Sequence, residues 1–240
     1  LAQRISSINS ISALCEVTGA NVKEVARAIG SDNRIGSKFL TSGPGFGGSC
    51  FKKDILNLVY LSEYFGLPEV ASFWEEVVKL NNWHQKRISR LIIQKLFGTI
   101  TGKKIAILGF SFKANTNDTR ESSAINICKE LMIEGGNLKI YDPRVNYYQV
   151  KKDLDDFQDK KYISDDSEGY WEFMDSINGC IEEVDAIVIM TEWDEFKLIN
   201  WEEVSKKMRR PSWVFDTRAI IDSKRVKKYG INIWSIGCGE

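Results

Sequence analysis

The sequence predicts an α/β protein in which an all-helical domain, residues 1–98, precedes a doubly wound parallel-sheet domain, residues 99–240. Up to about residue 98, apolar residues recur only at helical spacing. From residue 99 short apolar runs (KKIAILGF, LKIYDP, DAIVIM, WVFDT and INIWSI) are separated by helical stretches such as SSAINICKELMIEGG. Strands alternating with helices build a parallel sheet with helices on both faces. The chain is also large enough for this: 240 residues, 43% hydrophobic and 11% aromatic, can bury one large core or two smaller ones.

Each element has its own signal. Ile5, Ile8, Ile11 and Leu14 mark the stripe of a first helix that ends at Gly19, and NVKEVARAIG forms a second, with Asn21 and Glu24 spaced as a capping box. A third helix follows Cys50 and carries Ile55, Leu58, Val59 and Leu61 as far as Gly66. Pro68 suits the first position of a fourth, whose apolar residues run from Val70 to Leu96. At about 28 residues that helix is roughly 42 Å long, a length that bridges domains or packs on a partner chain. The alternative is a break near Asn81 and Asn82. His84, in WHQKR on the same helix, is expected to be solvated or half-buried. The domain boundary falls at FGTITGKK, and residues from about 144 to 180, acidic and poorly periodic (DLDDFQDKK, SDDSEGYWE), read as a surface insertion without chemistry.

Composition excludes several function classes. Thirty-three basic residues balance thirty-three acidic ones, so no overall field gathers nucleic acid or an anionic membrane. No apolar run reaches the roughly 18 residues of a membrane span, and the opening residues do not read as a signal-peptide pattern. The first residue is Leu1, already inside a helical pattern, as expected of a piece cut from a longer chain. Five scattered cysteines without a CxxC pair point to reduced thiols in a cytoplasmic setting, and with one histidine no metal site is expected. Cys15 and Cys128 fall on apolar helical faces and read as core residues.

The chemistry concentrates in two places. Ligands of an open parallel sheet sit at the carboxyl ends of its strands, so the loops after ILGF, IYDP, VIMT and VFDT face one crevice. The first of these, GFSFKANTNDTRESS, is not GxGxxG; it offers Lys113 and Arg120 to charged groups, or is an ordinary solvated loop. Asp142 reads as turn chemistry ahead of a ribose contact. Arg218 has the same ambiguity at the crevice. The second place is GPGFGGSCFKKD, residues 43–54. Cys50 stands where a glycine-rich turn meets a helix start, so unpaired amides and the helix dipole favour a thiolate, and Lys52 and Lys53 add positive charge. Asp54 shares the helix face of Cys50; it either orients water or a lysine, or merely suits the dipole. Glycines 43, 45, 47 and 48 let a substrate approach the backbone.

LAQRISSINSISALCE, RIGSKFL, GFGGSCFKKDILNLVYL, LPEV, GKKIAILGFSFK, NDTRESS, IYDPRV, TEWDEF and VFD resemble, in order and spacing, the UDP-glucose 6-dehydrogenase family over nearly the whole chain. GFGGSCFKKD alone would fit any nucleotide-sugar dehydrogenase, including GDP-mannose and UDP-N-acetylmannosamine types. The resemblance implies a helical central domain that forms a homodimer or higher homo-oligomer and a Rossmann-like domain that binds UDP. An upstream NAD domain and catalytic lysine would lie outside this chain, leaving the fragment inactive alone. It implies NAD as cofactor, UDP-glucose as substrate, and two oxidations at the sugar C6 through a thiohemiacetal and a thioester on Cys50, with Asp54 as the carboxylate of the motif. Arg34 resembles a residue reaching the substrate across the dimer. Thr41, Ser42, Gly43, Pro44, Gly45, Phe46 and Gly47 resemble the sugar loop, and Phe112, Lys113 and Arg218 resemble further substrate contacts. Cys50, Phe51, Lys52, Lys53 and Arg120 resemble cofactor contacts. Gly43 and Pro44, Ala114 and Asn115, and Thr217 depart from the family pattern. A non-catalytic UDP-sugar-binding and dimerisation module is the alternative, to be separated by the presence of GxGxxG and a lysine upstream.

Overall fold

The computed structural model describes residues 1–155, 157 and 169–239. Four helices come first: α1 (Ala2–Thr18), α2 (Val22–Gly30), α3 (Phe51–Tyr64) and α4 (Pro68–Lys95). Gly19 closes α1 in the left-handed conformation, φ 76°, which glycine adopts without a Cβ penalty. Asn21 caps α2 as expected, but through the Lys23 amide. The Glu24 amide turns instead to the Asn21 carbonyl, so the reciprocal pair of a capping box does not form.

The buried face of α1 differs from the expected isoleucine stripe. Ala2, Ser6, Ile8, Asn9, Ser12 and Cys15 are buried, whereas Leu14 is 57% exposed. Small and hydroxyl side chains let α1 lie close on α4, where the Ser6 hydroxyl donates to the Val77 carbonyl at 3.2 Å. Helix α4 runs unbroken for 28 residues. Asn81 does not break it, because its amide is taken up by the backbone of Phe46 in a neighbouring loop and does not compete for the helix's own carbonyls. The second half of α4 and its C-cap residue send Ile88, Ile92 and Leu96 into the core beneath the sheet, against Ile105, Ile107, Ile127 and Leu131.

That sheet has six parallel strands, β1 (Lys104–Leu108), β2 (Asn137–Tyr141), β3 (Trp171–Phe173), β4 (Ala186–Ile189), β5 (Trp213–Asp216) and β6 (Asn232–Ser235), in the order β3-β2-β1-β4-β5-β6. Strands β1 and β4 are covered on both faces, which is why they read as continuous apolar runs. The intervening helices are α5 (Ser123–Ile133), α6 (Tyr147–Asp153), α7 (Ile177–Cys180), α8 (Asp194–Lys197), α9 (Trp201–Lys207) and α10 (Ser223–Lys227). One core lies on each side of the sheet. Among the described residues no helix is long and apolar enough to cross a membrane.

The expected surface insertion at 144–180 needs correction. Its described residues hold α6, β3 and α7, and β3 pairs with β2 in the register Leu138↔Trp171. Three residues at a sheet edge, with only Trp171 buried, produce no periodic signal, so the strand was hidden by its shortness. Most of the acidic sequence between α6 and β3 lies outside the described residues.

Trp171 is 1% exposed within the larger core. Trp171→Ala should therefore lower unfolding stability by about 3–5 kcal/mol, read by urea denaturation; a loss under about 1 kcal/mol would mean that β3 is not part of the cooperative core.

Candidate active site

The site is built around the segment 41–50, which has no regular structure and is held from several directions. Gly43 is gripped at both ends of its backbone: its amide donates to Asn9 Oδ1 of α1 at 3.0 Å, and its carbonyl accepts from His84 Nε2 of α4 at 2.9 Å. A carbonyl can only accept, so the neutral imidazole carries its proton on Nε2. Three residues on, Asn81 pairs with both backbone groups of Phe46, at 2.8 and 3.3 Å. Phe46 itself is buried among Ala2, Ile55, Val77 and Val78, with its ring edge-on to Phe51. Gly45 has φ +125° and is closely approached by Asn81 and Gln85, so both conformation and space require glycine there.

The other side of the segment leans on the loop after β1. The Gly45 carbonyl accepts from Ser123 Oγ at 3.2 Å and the Gly48 amide donates to the Arg120 carbonyl at 2.9 Å. A Cβ on Gly47 would collide with the Glu121 carbonyl. Glu121 has φ 54°, a left-handed conformation that is strained for a residue with a side chain, and its carboxylate pairs with Lys52 at 2.9 Å. Asn115, one of the departures from the family pattern, has φ 64°, where asparagine is among the best tolerated residues.

The crevice loops themselves are set by two buried carboxylates at strand ends. Asp142, after β2, accepts from the amides of Phe110 and Ser111, the Ser111 hydroxyl and Trp193 Nε1 on one oxygen, and from the amides of Arg144 and Val145 on the other. Asp216, ending β5, accepts from the amides of Arg218 and Ile221 at 3.1 and 2.7 Å. Burial pushes the Asp216 carboxyl above its usual value. This turn aims Arg218 inward, where its guanidinium donates to the Met190 and Phe112 carbonyls at 2.8 and 3.1 Å and pairs with Glu192 at 3.1 Å. Burial pulls the Arg218 pKa down against the opposing charges of Glu192 and Asp216; the guanidinium stays charged. Thr217, another departure, is buried with its hydroxyl donating to the Ile189 carbonyl at 2.7 Å.

Several expected residues thus come together. Thr41, Ser42 and Arg218 line one cleft of about 560 Å³ with Lys23, Arg27 and Leu40, and Arg218 flanks Gly43. Pro44 is buried within the segment. Phe112 packs on Gly47 and Gly48, and the Lys113 ammonium lies 5.4 Å from the Phe112 ring centre. Cys50 is exposed, heads α3, and lies within electrostatic range of the Arg120 guanidinium. Asp54 is exposed one turn further, its amide bonded to the Cys50 carbonyl. Lys53 is exposed, whereas Lys52 is engaged by Glu121 and Arg120 by Asp118, which holds that carboxyl below its usual value. Arg34 does not join the cluster: its guanidinium pairs with Asp32 at 2.6 Å on an exposed turn.

His84 contradicts its expected solvated or half-buried placement; it is fully buried beneath Gly43. Asn9, Asn81, Gln85 and Glu192 also shape the site without having been singled out for it from the sequence, and Asp142 acts in the turn role read for it. For α4 the signal was present: Val77, Asn81, His84, Ile88 and Ile92 fall on one helical stripe, and polar residues on an apolar stripe are buried polar groups needing partners.

Comparison with known proteins covers most of the chain. Residues 1–83 match the central domain, and residues 106–223 the UDP binding domain, of the UDP-glucose/GDP-mannose dehydrogenase family. UDP-glucose 6-dehydrogenase of Drosophila melanogaster is 48% identical over 244 residues, covering 99% of this chain and 50% of its own length. That of Gallus gallus is 51% identical, with 99% and 48% covered. The chain spans about half the length of the curated relatives it matches. A UDP-D-ManNAc dehydrogenase structure from Pyrococcus horikoshii superposes with TM-score 0.75 at 27% identity, over 99% of this chain and 49% of that one. A UDP-glucose dehydrogenase structure from Pyrobaculum islandicum, at TM-score 0.78 and 24% identity over 100% and 48% of the two chains, shares the fold.

Burial and the nearby Arg87 charge lower the His84 pKa from 6.5 to about 4. The unfolded chain therefore binds a proton between those values that the folded chain refuses, so the His84 contribution favours folding fully above pH 6.5 and is lost as pH falls toward 4. The loss amounts to about 3 kcal/mol. Urea denaturation at neutral and acid pH should show a steeper acid loss in the wild type than in His84→Gln; parallel curves would contradict this.

Proposed function

The chain belongs to the UDP-glucose/GDP-mannose dehydrogenase family, and we propose that it supplies the central part, residues 1–98, and the UDP-binding part, residues 99–240, of an NAD-dependent UDP-glucose 6-dehydrogenase. The observation that supports this reading most is an exposed thiol, Cys50, at the head of α3, joined to a glycine segment that α1, α4 and the β1 loop hold in place. Arg218, Thr41 and Ser42 receive the UDP portion in their shared cleft. The sugar lies along residues 43–47 toward Cys50, beside Phe112 and Lys113. Arg218 suits a diphosphate because its planar donor fork is already oriented by the Met190 and Phe112 carbonyls.

The residues present fit one side of the cofactor. Cys50 is open to solvent with Phe51, Lys52, Lys53 and Arg120 around it, and the cations suit a pyrophosphate. No GxGxxG turn follows a strand here, so most contacts to NAD fall to a part of the protein that this chain does not span. NAD, when bound, supplies the hydride acceptor. Cys50 Sγ adds to the C6 aldehyde carbon and holds it as a thiohemiacetal; once oxidised to the thioester, the same sulfur is the leaving group that water displaces to give UDP-glucuronate. Asp54, on the same helix face, positions that water.

The homodimer contact falls on the α3–α4 hairpin, where Tyr60, Leu61, Tyr64, Phe65 and Phe73 form an exposed apolar face. Arg34, on its exposed turn, then reaches the substrate of the second copy.

In the full-length protein, Cys50→Ala should cut NADH formation from UDP-glucose by at least about a thousandfold, and normal turnover by that variant would end the proposal. A screen of UDP- and GDP-sugars should give the highest kcat/KM for UDP-glucose. Tyr64→Asp combined with Phe73→Asp should shift the sedimentation of the folded protein toward a smaller species; unchanged sedimentation would move the interface elsewhere.

A further inference from the structure

The geometry points to His84, acting with Asn9, as a positioning residue for the substrate: the two side chains clamp the Gly43 backbone on both sides of its Cα and thereby set where residues 43–47 stand relative to Arg218 and Cys50. This rests on the reading of that segment as the sugar loop.

The clamp has three features that ordinary core packing does not need. It grips one residue at both its backbone donor and its backbone acceptor, at 3.0 and 2.9 Å, from two different helices, so Gly43 cannot shift without parting from α1 or α4. Both side chains are buried, Asn9 to 1% and His84 to 0% exposure, and each leaves a polar atom, Asn9 Nδ2 and His84 Nδ1, without a hydrogen-bond partner among the described residues. Apolar side chains of similar volume would avoid that desolvation cost, so stability alone does not account for an amide and an imidazole at these positions. Finally, the clamped residue stands beside the half-buried Arg218 guanidinium. A Cβ on Gly43 would lie 3.3 Å from Arg218 Nη1, so the height of the Gly43 backbone fixes the clearance between the loop and the guanidinium.

Asn81, one turn before His84, repeats the device by holding both backbone groups of Phe46. Helix α4 thus registers the loop at two points, and His84 controls the one nearer Arg218. His84 itself touches neither substrate nor reacting atoms; it works through the Gly43 carbonyl.

The experiment uses the full-length protein with three variants: His84→Phe, which keeps a ring and removes the donor, His84→Gln, which keeps an N–H, and Asn9→Ala. Two readouts are taken, amide hydrogen exchange across residues 41–49 without substrate and steady-state kinetics with UDP-glucose and NAD. His84→Phe and Asn9→Ala should speed loop exchange and raise KM for UDP-glucose by about tenfold each, the cost of one lost buried hydrogen bond. KM for NAD should stay within about twofold, with kcat falling less than KM rises. His84→Gln should restore both readouts toward the wild type. Unchanged loop exchange in folded His84→Phe would overturn the clamp, as would equal damage from His84→Gln, since packing alone would then explain it. Faster exchange with unchanged KM would overturn the positioning role. A wild type that turns over no nucleotide sugar would sink the functional reading, while loop exchange would still judge the clamp. Should His84→Phe fail to fold, Asn9→Ala carries the same two readouts from the opposite helix.

Discussion

The site depends on helix α4 remaining one rigid body. Its middle presents Asn81, His84 and Gln85 to the loop, and its last turns and C-cap place Ile88, Ile92 and Leu96 in the core under the sheet. A single rod therefore locates the thiol-bearing segment and the strand-end crevice with respect to each other. The bidentate pair of Arg87 with Glu16, at 2.7 and 3.1 Å, ties α1 to the same rod, and Glu16 also accepts from the Gly237 amide near the end of the chain. A kink at Asn81 would separate these frames. The asparagine is kept from kinking the helix by the loop that it holds.

Charge placement follows the same logic. The protein has no net charge to attract an anion from a distance, so recognition must come from groups fixed at short range. Arg218 is desolvated in advance and oriented by two carbonyls and Glu192. Asp142 and Asp216 spend their carboxylates on backbone amides, converting two strand ends into turns of defined shape. Organising groups are buried, and the residues placed around the reacting sulfur, Cys50, Asp54, Lys53 and Arg120, are exposed.

Much of this was legible in the residues. Periodicity gave α1 to α5 and five of the strands, Gly19 and Pro68 marked helix boundaries, and the thiol at a helix start followed from the glycine-rich turn. Legibility failed where the information was not local. Strand β3 is too short to have a period, and its identity comes from pairing with β2. His84 was read as solvated or half-buried from its place in WHQKR; the facing Gly43 carbonyl, distant in sequence, is what makes full burial tolerable. The role of Asp142 was half visible: its turn was read, but the amides of Phe110 and Ser111 reach it from a loop 32 residues away in sequence.

The contact between the Gly45–Gly48 stretch and the Ser111–Ser123 loop has an engineering consequence. The Gly47 backbone leaves no room beneath the Glu121 carbonyl, the Gly48 amide is bonded to the Arg120 carbonyl, and Phe112 packs its Cβ by Gly47 and its ring by Gly48. The two stretches, far apart in sequence, are one mechanical cassette. Retargeting the crevice by grafting a relative's glycine segment alone would mate it with a mismatched bearing surface, so both stretches must be transplanted together, with Glu121 and Lys52 as the pin between them.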